Sequence, residues 1–398
     1  MARPPGRILP AIIFASFTGT SLWFAGNAVL PDLSRLWSLS PDALGYMTSS
    51  VQLGFIAGTL VFAVLAISDM FSPRKIFLAC AIVGAFFNAG IYFFADGFAS
   101  LMVFRFLTGF FLAGIYPIGM KIAAGWYQQN LGKALGYLLA ALVAGTAFPH
   151  LLKAVGHSLP WESVILAVSG TAAFGGLAMF LLVPDGPYIT KGAKFDPAAM
   201  KVIFQSKKFR ASAFGYFGHM WELYTFWAFV PVILAAHVGS GTVVRLDISL
   251  WAFLVIGAGV IGCAGGGLLT GRFGSARVAF VQLAISGACC ALSPFFLASA
   301  TPVFLIFLLV WGITVAGDSP QFSTLNAQNA PKELVGSALT IVNCIGFSVT
   351  IVSIQLLTYA AHYIDSRWLF LLLTAGPAVG LYAMRSLLRG ESLRASRA

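Results

Sequence analysis

The chain consists of long apolar runs separated by short polar stretches. The runs reach the ~20 residues that an α-helix needs to cross a hydrocarbon layer of roughly 30 Å. They predict twelve transmembrane helices, at residues 8–30, 43–68, 76–95, 98–122, 134–155, 161–183, 211–236, 248–270, 278–298, 302–326, 336–360 and 368–388. We therefore expect an all-α membrane protein.

Composition supports this fold class, because 59% of the residues are hydrophobic and only 9% are charged, whereas soluble domains carry about 25% charged residues. The net charge of +11 could point to nucleic acid. Most of the 24 lysine and arginine residues, however, fall in segments on the same side as the N-terminus. The positive-inside rule then places both termini in the cytoplasm. The positive charge is then explained by topology, and no nucleic-acid partner is needed. We expect the protein to reside in the plasma membrane, which is the inner membrane in a bacterium.

The two halves of the chain share a repeated pattern. Four segments recur with a spacing of roughly 200 residues: Ala28–Pro31 with Ala228–Pro231, Asp69–Lys75 with Gly271–Arg277, Gly109–Pro117 with Gly312–Pro320, and Leu131–Leu135 with Val335–Leu339. A duplicated six-helix unit is typical of transporters with two related bundles. We expect pseudo-symmetric bundles at residues 1–183 and 211–398, joined by a basic cytoplasmic linker at residues 184–210.

Two short motifs add a family resemblance. The loop from Asp69 through Ser72 and Pro73 to Arg74 and Lys75 is similar to the G-x-x-x-D-R-x-G-R-R motif of the major facilitator superfamily, and Arg105–Gly109 is similar to its R-x-x-x-G signature. Over essentially its whole length the chain resembles a transporter of that family. The resemblance implies the two-bundle fold and a cavity lined by helices one, four, seven and ten.

The loop motif departs from the family pattern. Met70 stands where the family often has arginine, and in the second copy Gly271 replaces the aspartate. The resemblance implies that Asp69 pairs with a cation or a helix terminus of the other half and stabilises one conformation. The cytoplasmic gating loops are then formed by Asp69, Arg74, Lys75, Arg272 and Arg277.

Ionisable residues inside the predicted helices are the main candidates for chemistry. A charged side chain at a helix centre in a bilayer costs about 2.5–3.5 kcal/mol on insertion scales, so such residues are usually functional. Asp318 lies in helix ten, and His219 and Glu222 lie one turn apart in helix seven. We interpret these three residues as proton-coupling groups, with Arg105 as a possible modulator.

Alternatives remain open for these residues. His219 and Glu222 could be solvated at the cytoplasmic entrance of helix seven. Arg105 could face the bundle interior, or its side chain could extend to the outer interface.

Polar and aromatic residues concentrate on the helices that the family uses to line its cavity. The candidates for substrate contact are Trp23, Asn27, Tyr116, Trp227, Gln321 and Asn343. The predicted helices contain two acids in this region and one arginine, which favours a cationic or neutral substrate. Alternatively, the acids bind protons only and do not contact the substrate.

Other classes of protein lack support in the sequence. Residues Gly257–Gly262 read G-x-G-x-x-G, but they fall within a predicted membrane helix, and a dinucleotide site requires a preceding strand. No Cys-x-x-Cys or Cys/His metal spacing occurs, so we expect neither a cofactor nor a metal. We predict a proton-coupled secondary transporter of a small solute, not an enzyme, working as a monomer by alternating access. The alternative is a ligand-binding receptor on the same fold.

Overall fold

The computed structural model describes residues 4–127, 131–156, 160–189, 195–239 and 246–395. Twelve helices in this part of the chain are long and apolar enough to cross a membrane: α1 Ile8–Trp37, α2 Ala43–Val64, α3 Pro73–Phe93, α4 Phe98–Trp126, α5 Leu131–Val155, α6 Trp161–Leu182, α7 Lys207–Val238, α8 Ile248–Phe273, α9 Ser275–Leu297, α10 Thr301–Asn329, α11 Lys332–Ala360 and α12 Ser366–Leu388. The described residues contain no strand. The predicted all-α fold class with twelve spans is confirmed.

Several of these helices are interrupted. The interrupted helices are α1 (Ile8–Thr20 and Ala25–Trp37), α4 (Phe98–Leu112 and Tyr116–Trp126), α8 (Ile248–Gly257 and Gly259–Phe273) and α10 (Thr301–Gly317 and Ser319–Asn329). In addition, α11 begins with a 3₁₀ turn, Lys332–Leu334, and α12 contains another, Phe370–Thr374. Short helices outside the spans cover Ile67–Met70 and Ala199–Ile203.

The breaks in α4 and α10 fall at matching positions of the repeated pattern. Gly114 lies in the break of α4, and Gly317 ends the first segment of α10. Pro117 and Pro320 then occupy the first turns of the second segments, where a proline ring fits because the amide hydrogen is not needed for a helical bond. Both copies of the repeated pattern therefore contain an interrupted helix with a proline in the first turn after the break.

The chain divides into two compact units. The first contains α1–α6 and the first segment of α8, and the second contains α7, the second segment of α8 and α9–α12. Within the first unit, α2 lies along α4 and the Ile248–Gly257 segment lies along α5. Within the second unit, α7 lies along α11 and α12, and the Gly259–Phe273 segment lies along α10.

Glycines allow some of these helices to approach one another closely. A methyl group on Gly54 would overlap the carbonyl oxygen of Phe106, and one on Gly262 would overlap that of Ile313. The first contact joins α2 to α4, and the second joins α8 to α10. Gly262 ends the G-x-G-x-x-G sequence, so at this position the glycine serves helix packing.

Candidate functional site

The second unit contains a buried acid at the contact of three helices. Glu222 of α7 has no exposed surface. The Trp311 indole of α10 donates a hydrogen bond of 2.6 Å to Glu222 Oε1, and the Ser286 hydroxyl of α9 donates one of 3.0 Å to Oε2. Both carboxyl oxygens therefore have neutral hydrogen-bond donors.

One helical turn away, a histidine and an aspartate form a second polar contact between α7 and α10. His219 Nδ1 lies 2.8 Å from Asp318 Oδ1, and His219 Nε2 lies 2.8 Å from the Ser319 hydroxyl. Asp318 is the residue at the break of α10, and both Asp318 and His219 are buried. A neutral imidazole has one donor and one acceptor nitrogen, so it can contact both groups at once.

Aromatic rings surround these polar contacts. The rings of Phe226 and Trp311 lie 4.5 Å apart, and Tyr216 and Phe322 lie 6.1 Å and 5.7 Å from the His219 ring. The acids therefore lie in an apolar environment, and the solvated arrangement considered for His219 and Glu222 is not present.

No lysine or arginine pairs with Glu222 or Asp318 in the described part of the chain. An anion removed from water and lacking a fixed cation is costly. A proton can neutralise each carboxyl group, and the imidazole between Asp318 and Ser319 can exchange one. The structure thus brings together the three predicted acid and imidazole groups, while their role stays a prediction.

Arg105, the fourth ionisable candidate, lies in the first unit and is fully buried. Its Nη1 donates to the Leu22 carbonyl at 3.0 Å and contacts Asn88 Oδ1 at 3.5 Å, and its Nη2 donates to the Trp23 carbonyl. Leu22 and Trp23 form the break of α1, where backbone carbonyls lack helical partners. The guanidinium group therefore caps an interrupted helix, and its extension to the membrane interface is not observed.

The two predicted contact residues of α1 face α2. Asn27 Nδ2 donates to the Thr48 hydroxyl at 2.9 Å. The Trp23 ring lies 4.8 Å from the ring of Phe55. Trp23 therefore lies in the break of α1, Arg105 donates to it, and Asn27 lies one turn after it.

Of the other predicted contact residues, Tyr116 lies in the first unit, and Trp227, Gln321 and Asn343 lie in the second. Tyr116 begins the second segment of α4 and is half-buried. Trp227 is buried with its ring 5.2 Å from Tyr224, and Asn343 of α11 accepts a hydrogen bond of 3.2 Å from the Tyr216 hydroxyl. The Gln321 side chain is buried, and neither of its amide atoms has a hydrogen-bond partner among the described residues.

The loop between α2 and α3 is held within the first unit. Lys121 of α4 lies 2.5 Å from Asp69 Oδ1 and donates to the Ser68 carbonyl at 2.6 Å. Arg74 Nε lies 3.9 Å from Asp185, which also accepts a hydrogen bond from Ser72 at 2.9 Å. The pairing of Asp69 with a group of the other half stays a prediction. The side chains of Lys75, Arg272 and Arg277 are exposed.

The hydrogen-bond partners of the acids and of His219 were not predicted from the sequence. Trp311 lies seven residues, two helical turns, before Asp318, so a shared face of α10 could have indicated it. Ser286 and Ser319 carry no such signal, because serine is common in membrane helices. Metal-binding clusters of His, Cys, Asp and Glu are absent from the described residues.

Comparisons with known proteins agree with this architecture. The family described as Major Facilitator Superfamily matches residues 11–354. The human organic anion transporter MFSD10 (TETRAN) shares the fold, with a TM-score of 0.73 over 96% of this chain and 100% of that chain at 15% identity.

Two curated relatives match smaller parts of the sequence. The "Putative niacin/nicotinamide transporter" of Bacillus subtilis (strain 168) is 27% identical over 164 residues, which are 38% of this chain and 37% of the relative. An "Uncharacterized transporter" of Escherichia coli O157:H7 is 25% identical over 195 residues, which are 46% of this chain and 48% of the relative. Each match spans less than half of the relative's own length.

Proposed function

The chain belongs to the Major Facilitator Superfamily, and from this premise we propose that it is a proton-coupled secondary transporter that moves a small solute by alternating access. The protein is an integral, multi-pass membrane protein with the fold of a solute transporter. Proton coupling, a plasma-membrane location, cytoplasmic termini and function as a monomer are parts of the proposal. The division into two six-helix bundles joined by the basic linker at residues 184–210 is also part of the proposal.

The observation that carries the proposal is the polar cluster of the second unit. Glu222 and Asp318 are fully buried acids on facing helices, and their polar partners are an indole, hydroxyl groups and one imidazole. A permanent ion pair with arginine or lysine would hold a carboxylate in one charge state. The groups present here leave both acids able to take up and release a proton, as coupling requires.

The helix contacts made by these acids also link protonation to structure. Trp311 and Ser286 donate to the Glu222 carboxylate, and charged acceptors make stronger hydrogen bonds than neutral ones. Protonation of Glu222 therefore weakens the contact of α7 with α9 and α10. We propose that this change biases the conformational equilibrium, since a ligand shifts an equilibrium only by binding one state better.

A receptor on the same fold is the second candidate, and solute flux separates the two. We use nicotinamide and nicotinate as first probes, because niacin and nicotinamide appear in the name of the Bacillus subtilis relative. In proteoliposomes we expect counterflow of a bound probe without a gradient, and accumulation of that probe when a pH gradient is imposed. Binding of either probe without counterflow would support the receptor, and flux unaffected by the pH gradient would contradict proton coupling.

Proton binding by Glu222 should be visible without any solute. Trp311 donates its hydrogen bond directly to Glu222, so loss of the carboxylate charge changes the electrostatic environment of the indole. We expect a pH-dependent shift of tryptophan emission when the purified protein is titrated. The shift should disappear in both Glu222→Gln and Trp311→Phe.

The matched control for this titration is Glu333→Gln. Glu333 is an exposed acid on the 3₁₀ turn that begins α11, so the shift should be retained there. Emission from Glu222→Gln that titrates like the unsubstituted protein would refute proton binding at Glu222.

A further inference from the structure

The face of α2 that contacts α1 carries buried hydrogen-bonding atoms with no partner. Gln52 has no exposed surface, and among the described residues neither its Nε2 nor its Oε1 has a hydrogen-bond partner. Asn27 is 6% exposed, and its Oδ1 also lacks a partner there. Buried polar side-chain atoms are nearly always paired, so three such atoms in one place indicate a missing partner.

The register of α1 against α2 brings these atoms together. Asn27 bonds to Thr48, and Trp23 contacts Phe55. Residues 48, 52 and 55 follow the spacing of one helix face. Gln52 therefore lies between the two contacts, opposite the segment from Trp23 to Asn27.

The orientation of the Asn27 amide follows from its partner. The Thr48 hydroxyl donates its hydrogen to the Leu44 carbonyl at 2.8 Å, so toward Asn27 it can only accept. Asn27 must present its Nδ2 to Thr48. Its Oδ1 is then fixed as an acceptor that is left for another donor.

The missing partner must therefore supply donors to two oxygens, Asn27 Oδ1 and Gln52 Oε1, and an acceptor for Gln52 Nε2. An ammonium group has donors but no acceptor, and a carboxylate has acceptors but no donor. A primary carboxamide has two N–H donors and one carbonyl oxygen, which is the complementary set.

The surroundings favour an uncharged aromatic molecule around that amide. Arg105, a buried cation, donates to the Trp23 carbonyl at the same break of α1, so a positively charged ligand would be repelled. The Trp23 and Phe55 rings lie 4.8 Å apart, and Phe55 follows Gln52 by three residues, about one turn of α2. Aromatic side chains prefer contact with other planar apolar groups.

We propose that the first unit recognises the primary carboxamide of an uncharged aromatic solute, through Gln52 and Asn27. This rests on the proposed function as a solute transporter and names the chemical class of its substrate. It also assigns a role to Gln52, an uncharged residue that belongs to none of the sequence motifs.

The test is binding to the purified full-length chain in detergent, where no gradient or transport is involved. The probes are nicotinamide and benzamide, each compared with its acid, nicotinate and benzoate. We expect the amides, and not the acids, to raise the melting temperature. In Gln52→Met, which keeps the approximate volume, the Kd of the amides should rise about tenfold or more, since one buried hydrogen-bonding group is lost.

A structural role for Gln52 would give different results. The melting temperature of ligand-free Gln52→Met should stay the same or rise, because an unpaired buried amide is removed. The matched control, Gln328→Met, changes an exposed glutamine of α10 and should bind amides normally. Acids that bind as well as amides, no binding of either amide, unchanged amide binding in Gln52→Met, or a lower ligand-free melting temperature in that variant would each overturn the proposal.

These outcomes are separable from a failure of the proposed function. Amide binding that depends on Gln52 supports this inference even if no flux is detected, in which case the transporter proposal fails alone. Proton-driven flux of nicotinate without any amide binding leaves the transporter proposal standing and overturns the carboxamide site.

Discussion

Replacement of Asp318 by asparagine is expected to abolish solute accumulation driven by a pH gradient while leaving the protein folded. Asparagine has nearly the same shape and can still accept a hydrogen bond from His219, but it cannot bind a proton. Asp318 lies at the break of α10, 2.8 Å from His219. The substitution therefore removes one acid of the cluster without leaving a cavity in the helix packing. The measurement is uptake of the bound probe into proteoliposomes with and without the gradient, with the melting temperature as the check on folding.

Two comparisons make the Asp318 result specific. Asp196→Asn is the matched control, because Asp196 is exposed. Its Oδ1 accepts a hydrogen bond from the Ala198 backbone N–H, and an asparagine side-chain oxygen can accept the same bond. In Asp318→Asn, counterflow without a gradient should persist, since exchange of solute does not need net proton movement. Gradient-driven accumulation in Asp318→Asn at the unsubstituted level would eliminate Asp318 from the coupling mechanism.

Replacement of Arg105 by methionine is expected to produce the largest loss of stability in the first unit. The change leaves the Leu22 and Trp23 carbonyls at the break of α1 without their donor. An orphaned buried polar group costs about 1–3 kcal/mol, and Asn88 Oδ1, which Arg105 contacts at 3.5 Å, loses its donor as well as the two carbonyls. Removal of a buried charge offsets part of this loss. We expect a melting temperature several degrees lower in detergent, with a smaller decrease for Arg105→Lys, which keeps one donor group.

The control for this substitution is Arg385→Met, an exposed arginine near the end of α12. It should melt as the unsubstituted protein does. An Arg105→Met protein with an unchanged melting temperature would show that the α1 break does not depend on the guanidinium group.

The sequence predicted the backbone of this protein better than its contacts. Twelve apolar runs and the repeated Gly and Pro positions define the spans and the breaks of α4 and α10, because these features depend on local chain chemistry. The break of α1 has no proline or glycine at residues 21–24. It was not predicted, and its stabilising group, Arg105, comes from another helix.

The candidate site shows the same limit. Asp318, Glu222 and His219 could be selected because charge in an apolar run is rare, but their partners are distant in sequence. Trp311 and Ser286 lie 89 and 64 positions from Glu222, and helix packing alone decides which of the many tryptophans and serines reach it. For Arg105, the linear pattern was compatible with both a buried and an interfacial position, and only the three-dimensional structure distinguished them.

The matching breaks of α4 and α10 carry different side chains. At equivalent positions the first copy has Gly114 followed by Ile115, and the second has Gly317 followed by Asp318. The interruption is present in both, yet only one contains an acid. The interrupted backbone and the acid are thus separable features of this position. A helix break shared by both halves is therefore a backbone feature that accommodates an apolar side chain in one half and an acidic one in the other.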